Sequence, residues 1–559
     1  MNLILRGATV ADGTGAAIRR ADVGISGQQI VAVEESIKDE GADVIDLEGL
    51  VLAPGFIDPH THYDAQVFWD SGLTPSSWHG VTTVITGNCG FGIAPLHDDQ
   101  RKTIAATLEN VEGMSRDVLE SGIPWSFNTF PEYLEAVRRT PKRINMGAFI
   151  GHTPVRMFVM REAATERGAT VAEVEAMRAI VVEALEAGAF GFSTSKTPNH
   201  NGDGGVPVPS RLAEWEEIKA LASALKTVGR GVFQATPGPG LVIDEMDQLA
   251  KMTGRPVTWT ALFTGLTGDL LSSAGVTSSA SDLLAMTKAL GGEVYPQIAS
   301  LPVVMQITLE DPFPFGMLSS FSPILAAPRR DRHAIYADPA WRERARAELP
   351  PKWKERWAKT TIDESEAHAD IRHGPTLEQL AIARGCEAFD LLVDLSLAED
   401  LRTRFRVVLG NDDEAETATL LKDHQCLLAV SDGGAHVSQM CDARYSTHFL
   451  RYWCRERGVL PLEEAIWRLT GHPAAVFGIT DRGLVRAGLA ADLVAFDPST
   501  VGDSQPRRVW DLPAGGDRLV ADATGIEAMW VNGTLVRKAG ADVDGPPAGQ
   551  LVKPSASAA

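Results

Sequence analysis

The chain has 559 residues, enough for one large domain with a sizeable core and a smaller one beside it. Its 44% hydrophobic and 22% charged residues are those of a folded globular protein and exclude a disordered or fibrous one. A formal charge of −21 sets the surface against nucleic acid and anionic lipid, and the one dense basic stretch, residues 342–359, is interleaved with acids.

Residues 1–7 run straight into a strand pattern without a secretory apolar region, and no apolar run is long enough to span a bilayer. Five scattered cysteines (Cys89, Cys386, Cys426, Cys441 and Cys454) lack paired spacing and read as reduced thiols, so a cytoplasmic protein is expected. Short strands are predicted at 3–5, 22–26, 29–34 and 44–47, punctuated by Asp12-Gly13 and Ser26-Gly27. They return at 491–496 and 528–536, the latter interrupted by the hairpin-turn pair Asn532-Gly533. One small β-domain assembled from residues 1–54 and 479–540 is the expectation. Residues 541–559, rich in Gly, Pro, Ala and Ser, read as a loose tail.

Between these ends, residues 55–478 alternate apolar strands with amphipathic helices. The predicted strands are 52–57, 82–86, 145–150, 189–193, 231–235, 257–262, 405–409 and 427–430, with helices such as 171–187 and 212–228 between them. Eight parallel strands with intervening helices close most simply as a (β/α)₈ barrel, whose active site lies at the C-terminal strand ends. A doubly wound open sheet is the alternative, although no glycine-rich phosphate loop favours it. Residues 301–373 are too long for a plain connection and carry a charged helix at 339–359. They read as an insertion over the barrel mouth, a lid.

The chemistry-bearing residues stand at the strand ends. His60 and His62 follow the apolar run 50–56 at i and i+2; side chains so spaced on a strand point the same way and can grip one metal ion. Ordinary hydrogen bonding is the alternative for the pair. Cys89 lies in Gly87-Asn88-Cys89-Gly90, where the glycines allow a tight turn and an exposed thiol, a good zinc ligand; a small buried hydrophobe is equally open. His152 and Arg156 follow the third strand, as ligand and anion contact or as structural residues. Lys196 follows the fourth, with His200 in the loop beyond, and faces substrate or solvent more readily than it bridges metals as a carbamate. Asp432 follows the apolar run 427–430, where burial without a partner would be costly; a metal and a water are natural partners, and a helix N-cap is the bland alternative.

Taken together, these residues resemble the amidohydrolase superfamily, most closely the N-acyl-D-amino-acid deacylases. The similarity runs through 55–64, 87–95, 151–156, 188–195, 431–436 and the closing Gly488-Leu489-Ala490-Ala491-Asp492-Leu493-Val494. The resemblance implies a metal-bearing (β/α)₈ barrel with a small β-sandwich built from both ends of the chain. By it, His60 and His62 are first-strand ligands, Cys89 the cysteine ligand, and Asp432 the aspartate that handles the proton of the nucleophilic water and contacts the metal. Arg444 falls near the position that binds the carboxylate of the amino acid; His152 and Lys196 are substrate-side candidates from their places after the third and fourth strands alone.

The sequence also departs from that pattern. Thr236 and Ala261 stand where the fifth and sixth strands of these deacylases would end in histidine ligands, and neither is a usual zinc ligand. The expectation is therefore one tightly bound Zn²⁺ and a hydrolase of a non-peptide C–N amide, deacylating an N-acyl amino acid. A cyclic amide hydrolase or deaminase of the same superfamily and a non-catalytic binding protein on the same scaffold are the rival readings. The expected partner is a small-molecule amide, with no nucleic acid or membrane, and a homo-oligomer is left open.

Overall fold

The computed structural model describes residues 1–555 apart from 40, 272, 273 and 317. Two compact units emerge, one comprising Met1–Leu301, Asp413–Val437 and Cys441–Ala559, the other Pro302–Asp412 with Ser438–Met440. No helix among the described residues is long and apolar enough to cross a membrane.

In the first unit, eight parallel strands follow one another around a barrel. They are Phe56–Asp58, Val81–Thr86, Asn145–Ala148 continued by Ile150–Gly151, Gly191–Ser195, Val232–Thr236, Val257–Trp259, Val294–Ile298 and Leu427–Leu428. The eighth meets the first where Thr61 lies opposite Gly433, and the His62 N–H donates to the Gly433 carbonyl at 2.7 Å. With every strand paired on both sides, the strands are buried all round, which is why they read as continuous apolar runs. Ile57, Ile85, Phe149, Phe190, Val232 and Leu427 belong to one buried cluster. The surrounding helices carry clear start and stop signals. Val171–Ala187 begins at Thr170, whose hydroxyl accepts the Glu173 N–H while the Glu173 carboxylate accepts the Thr170 N–H, and it ends at Gly188 with φ 118°.

Both chain ends build a nine-stranded sheet in which Leu3–Val10, Arg19–Ser26, Gln29–Glu34, Asp43–Asp46 and Val51–Pro54 join Leu493–Phe496, Ile526–Val531, Thr534–Lys538 and Ala541–Asp542. The two contributions meet where Val51–Pro54 runs antiparallel to Leu493–Phe496. Asp492 of the closing motif is the joint between this sheet and the barrel. It is buried, pairs with Arg482, and accepts from Asn145 Nδ2 of the third barrel strand at 2.9 Å.

Several expectations need correction. The run 52–57 is two strands, Val51–Pro54 in the terminal sheet and Phe56–Asp58 in the barrel. The seventh barrel strand is Val294–Ile298, not 405–409. Arg404–Gly410 instead pairs antiparallel with Val303–Ile307 and Thr360–Glu364 in the second unit. Phe405 and Val407 are buried while Arg404 and Arg406 are only half-buried, the alternation of a strand with one covered face. The insertion accordingly runs to Asp412 rather than ending at 373, and has its own aromatic core, with Trp341 set edge-on to Tyr336 at 5.0 Å. Its charged helix stops at Glu348, before Pro350-Pro351, and restarts as Pro351–Arg356.

The described part of the tail is not loose. Gln550 and Val552 bracket Met146, whose N–H donates to the Gln550 carbonyl at 2.9 Å and whose carbonyl accepts from Val552 at 2.8 Å. Val552 joins the apolar cluster of the barrel interior, and this burial fixes a segment whose composition alone suggests disorder. Residues 556–559 lie outside the described part.

Candidate metal centre

The first, second and eighth strand ends build the site. His60, His62 and Cys89 are buried, and their ligand atoms all lie within 4.8 Å of one another. Cys89 Sγ lies 3.5 Å from His60 Nε2, and Asp432 Oδ1 lies 3.2 Å from His60 Nε2 and 3.7 Å from His62 Nε2. Asp432 keeps 26% of its side chain exposed, so the cluster has an open side.

Local backbone conformation delivers these groups. Cys89 sits at φ 57°, between Gly87 and Gly90, both also at positive φ. A Cβ on Gly90 would lie 2.8 Å from the Thr194 Cα, so the turn can press against the fourth strand only with glycine there. Val430 and Asp432 hold φ 59° and 46°, conformations that non-glycine residues adopt at some energetic cost. The Ser431 hydroxyl donates to the His60 carbonyl at 3.1 Å and tethers that strained end to the first strand.

The charges interlock. Burial alone would strip protons from both imidazoles, but Cys89 and Asp432 beside His60 hold its pKa up to about 10, and Glu112 beside His62 holds that ring well above the ordinary range. Burial would raise the Cys89 thiol, yet the adjacent His60 outweighs it and brings it down to about 6. Asp432, which burial would also raise, is held well below the carboxylate range by the same two histidines. Two imidazoles, a thiolate and a carboxylate thus crowd around shared positive charge. A soft divalent cation with tetrahedral preference fits this donor set.

Sequence reasoning missed the supporting groups. Glu112, at the end of the helix Arg101–Glu112, places Oε1 3.3 Å from His62 Nδ1, and burial pushes its carboxyl up to about 8. Nothing in its helical context marks it. Gln297 Oε1 lies 2.6 Å from His60 Nδ1, Thr260 Oγ1 lies 2.9 Å from the same atom, and Gln234 Oε1 accepts the Cys89 N–H at 2.7 Å. Glutamines inside otherwise apolar strands were the available signal. His200 is oriented by Ser195, whose hydroxyl lies 2.7 Å from Nδ1, and its ring lies 5.0 Å from that of Phe91. Burial, together with His436 and His62, pushes its pKa down to about 3.

Two expected substrate-side residues are placed elsewhere. His152 is fully buried with both ring nitrogens engaged, 2.8 Å from Thr194 Oγ1 and 2.8 Å from Glu217 Oε1, and Glu217 is also ion-paired with Arg156. This corrects the expectation of substrate contact: no ring nitrogen is left for one. Lys196 donates to the carbonyls of Arg211 at 2.5 Å and Ala213 at 2.8 Å, which makes it a tether for the loop it faces. Arg444 pairs with the buried Asp503, which also takes Arg451 and His448. The nearby Asp442 carboxyl is raised to about 7 by burial and feels the charges of both Arg444 and Asp432. Thr236 and Ala261 add no donor to the cluster. Among the described residues the Thr236 hydroxyl has no hydrogen-bond partner, and Ala261 packs in the apolar cluster of the barrel interior.

The model of the amidohydrolase family matches residues 43–298 and 344–537. The chain belongs to the amidohydrolase family. This amidohydrolase is 31% identical over 543 residues to an N-acyl-D-aspartate deacylase of Alcaligenes xylosoxydans xylosoxydans, covering 96% of this chain and 92% of that protein. It superposes on a D-aminoacylase studied for one-metal activation and second-metal attenuation of its binuclear metal centre, with a TM-score of 0.66 at 28% identity, covering 99% of both chains. An N-acyl-D-glutamate deacylase of Bordetella bronchiseptica, complexed with zinc and a phosphonate mimic of the reaction's tetrahedral intermediate, matches with a TM-score of 0.66 at 25% identity, again over 99% of both.

Proposed function

We propose that this amidohydrolase removes the acyl group from an N-acyl-D-amino acid, cutting a non-peptide C–N amide bond at a centre that holds one Zn²⁺ through His60, His62 and Cys89. The observation that carries the reading is the convergence of these three donors beside the ionised Asp432 carboxylate. The D-configured substrates named for its relatives support the substrate class.

When bound, the cation supplies Lewis-acid polarisation of the amide carbonyl and acidifies water. Asp432 does the proton work: its carboxylate accepts the proton of the attacking water and returns it to the leaving nitrogen. Its open edge lets substrate and solvent reach it, while His60 and His62 hold it ionised until the proton arrives. Arg444 is assigned to the substrate carboxylate, whose planar geometry matches a guanidinium, with Asp503 holding the side chain in place.

The test is a panel of N-acyl-D- and N-acyl-L-amino acids given to the zinc-loaded enzyme, with the freed amino acid resolved on a chiral column. Release of D-amino acids alone is expected, and no release from any member would overturn the reading. Arg444→Ala should raise KM for acylated amino acids while leaving a neutral amide analogue nearly unaffected.

A further inference from the structure

Beneath the metal donors, on the side facing the fifth, sixth and seventh strands, lies a chain of uncharged hydrogen-bonding groups. Gln234 and Gln297 are fully buried, and Thr260 lies between them. Gln297 Nε2 donates to the Thr258 hydroxyl at 3.2 Å, which orients its amide and turns Oε1 toward His60 Nδ1 at 2.6 Å. The Thr260 hydroxyl donates to the same Gln297 oxygen at 2.5 Å. Its single proton is committed there, so its oxygen accepts, from Gln234 Nε2 at 3.3 Å and from the His60 ring at 2.9 Å. Gln234 Oε1 in turn takes the Cys89 N–H.

This arrangement dictates one proton position. An amide oxygen offers no proton, so Nδ1 of His60 must carry one, and the proton a cation can displace is the one on Nε2, which faces Cys89 and Asp432. One network therefore orients the His60 ring and pins the backbone of Cys89. It is also neutral throughout. Among the described residues, the only group of three or more His, Cys, Asp and Glu with ligand atoms all close enough to share an ion is His60, His62 and Cys89. The fifth, sixth and seventh strands bring amide and hydroxyl groups to this floor where a second cation would need anionic or imidazole donors.

We propose that Gln297, Thr260 and Gln234 are positioning residues that lock His60 as the Nδ1–H tautomer, and that a site with this floor takes one divalent cation and not two. The inference rests on the metal-centre part of the proposed function and is independent of the substrate.

The experiment measures metal binding directly. Zinc per chain is determined by mass spectrometry after saturation and gel filtration, zinc affinity by chelator competition, and ligand geometry by the sulfur-to-cobalt absorption band of the Co²⁺-substituted protein. One ion per chain is expected. Gln297→Leu keeps the volume but removes the acceptor, and should weaken zinc by about ten- to a hundredfold and shift the cobalt band. Gln297→Glu, whose carboxylate also accepts from Nδ1, should bind at least as tightly as wild type. If Gln297→Leu fails to fold, Thr260→Val provides the second variant, with a severalfold loss of affinity expected. Two ions per chain would overturn the single-cation half. A folded Gln297→Leu with wild-type affinity and spectrum, or a Gln297→Glu as weak as Gln297→Leu, would overturn the positioning half. The expected metal results in a protein inactive on every N-acyl amino acid would uphold this inference and sink the substrate assignment alone.

Discussion

Two buried histidine clusters stand at strand ends of the same barrel, and they do opposite things. Around His60 and His62, a thiolate and a carboxylate are balanced only by the extra protons of the two imidazoles, which a divalent cation can displace. Around His152, the Glu217 carboxylate meets the Arg156 guanidinium and the His152 ring, and the charges balance without an ion. Burial would raise Glu217, yet His152 and Arg156 outweigh it and bring it down to about 2. A carboxylate accepts the Nε2–H of His152, which leaves Nδ1 to accept from Thr194, so both ring nitrogens are satisfied as a neutral tautomer. A buried histidine signals a ligand when only a displaceable proton on its ring balances its neighbours, and a structural role when a guanidinium completes the balance.

The largest effect should separate the clusters outright. The double variant His60→Ala, His62→Ala should lose stoichiometric metal, and with it activity, while His152→Ala should keep the metal in whatever fraction folds. Full metal retention in the double variant would break the comparison at its first term.

The balanced cluster should show its importance in stability. Glu217→Gln preserves shape but leaves the Arg156 charge buried without its partner, which should cost about 3–5 kcal/mol in denaturant unfolding. Metal content should not change. Loss of metal with little loss of stability would mean that the two clusters are one functional unit.

Asp432→Asn keeps the size of the side chain and removes its capacity to take a proton. It should lower kcat by at least about a hundredfold, or about 2.7 kcal/mol in the barrier. Near-normal turnover would remove Asp432 from the proton pathway and leave only its contact with His60 and His62.

What the sequence discloses of this site follows from how local each signal is. His60 and His62 are legible because one short segment just past the first barrel strand presents both, and Cys89 because its own glycines permit the turn at φ 57°. Glu112 is not legible: it ends an ordinary amphipathic helix and reaches His62 only through the tertiary fold. Gln297 was hidden with its strand, because Pro296 and Gln297 weaken the apolar pattern of Val294–Ile298. The run at 405–409 looks more strand-like yet belongs to an antiparallel sheet. The β-domain could be read from both ends of the chain because turn pairs such as Asn532-Gly533 punctuate it. Docking of 549–552 against the third strand depends on backbone hydrogen bonds that composition does not encode.

Lys196 tests the comparison most finely, since its charge is balanced by carbonyl dipoles rather than by a counter-ion. Burial pushes its pKa down to about 8, with Arg156 adding to the shift. Both the ammonium and the neutral amine can donate to the Arg211 and Ala213 carbonyls, so titration leaves the tether intact and relieves the burial of a charge. Lys196→Met removes the charge and the tether together, and these oppose each other. At pH 7 the expected change in stability is therefore small, within about 1 kcal/mol, the net scale of a hydrogen bond. Between pH 8 and about 10.5 the unfolded chain holds a proton that the folded one has released, so stability rises with pH in the wild type and this contribution is absent from the variant. Denaturant unfolding of both proteins across that range should show the wild-type advantage widening as pH increases, with zinc content equal throughout. A narrowing gap would reverse the assigned effect of burial, and loss of zinc would return Lys196 to the metal centre.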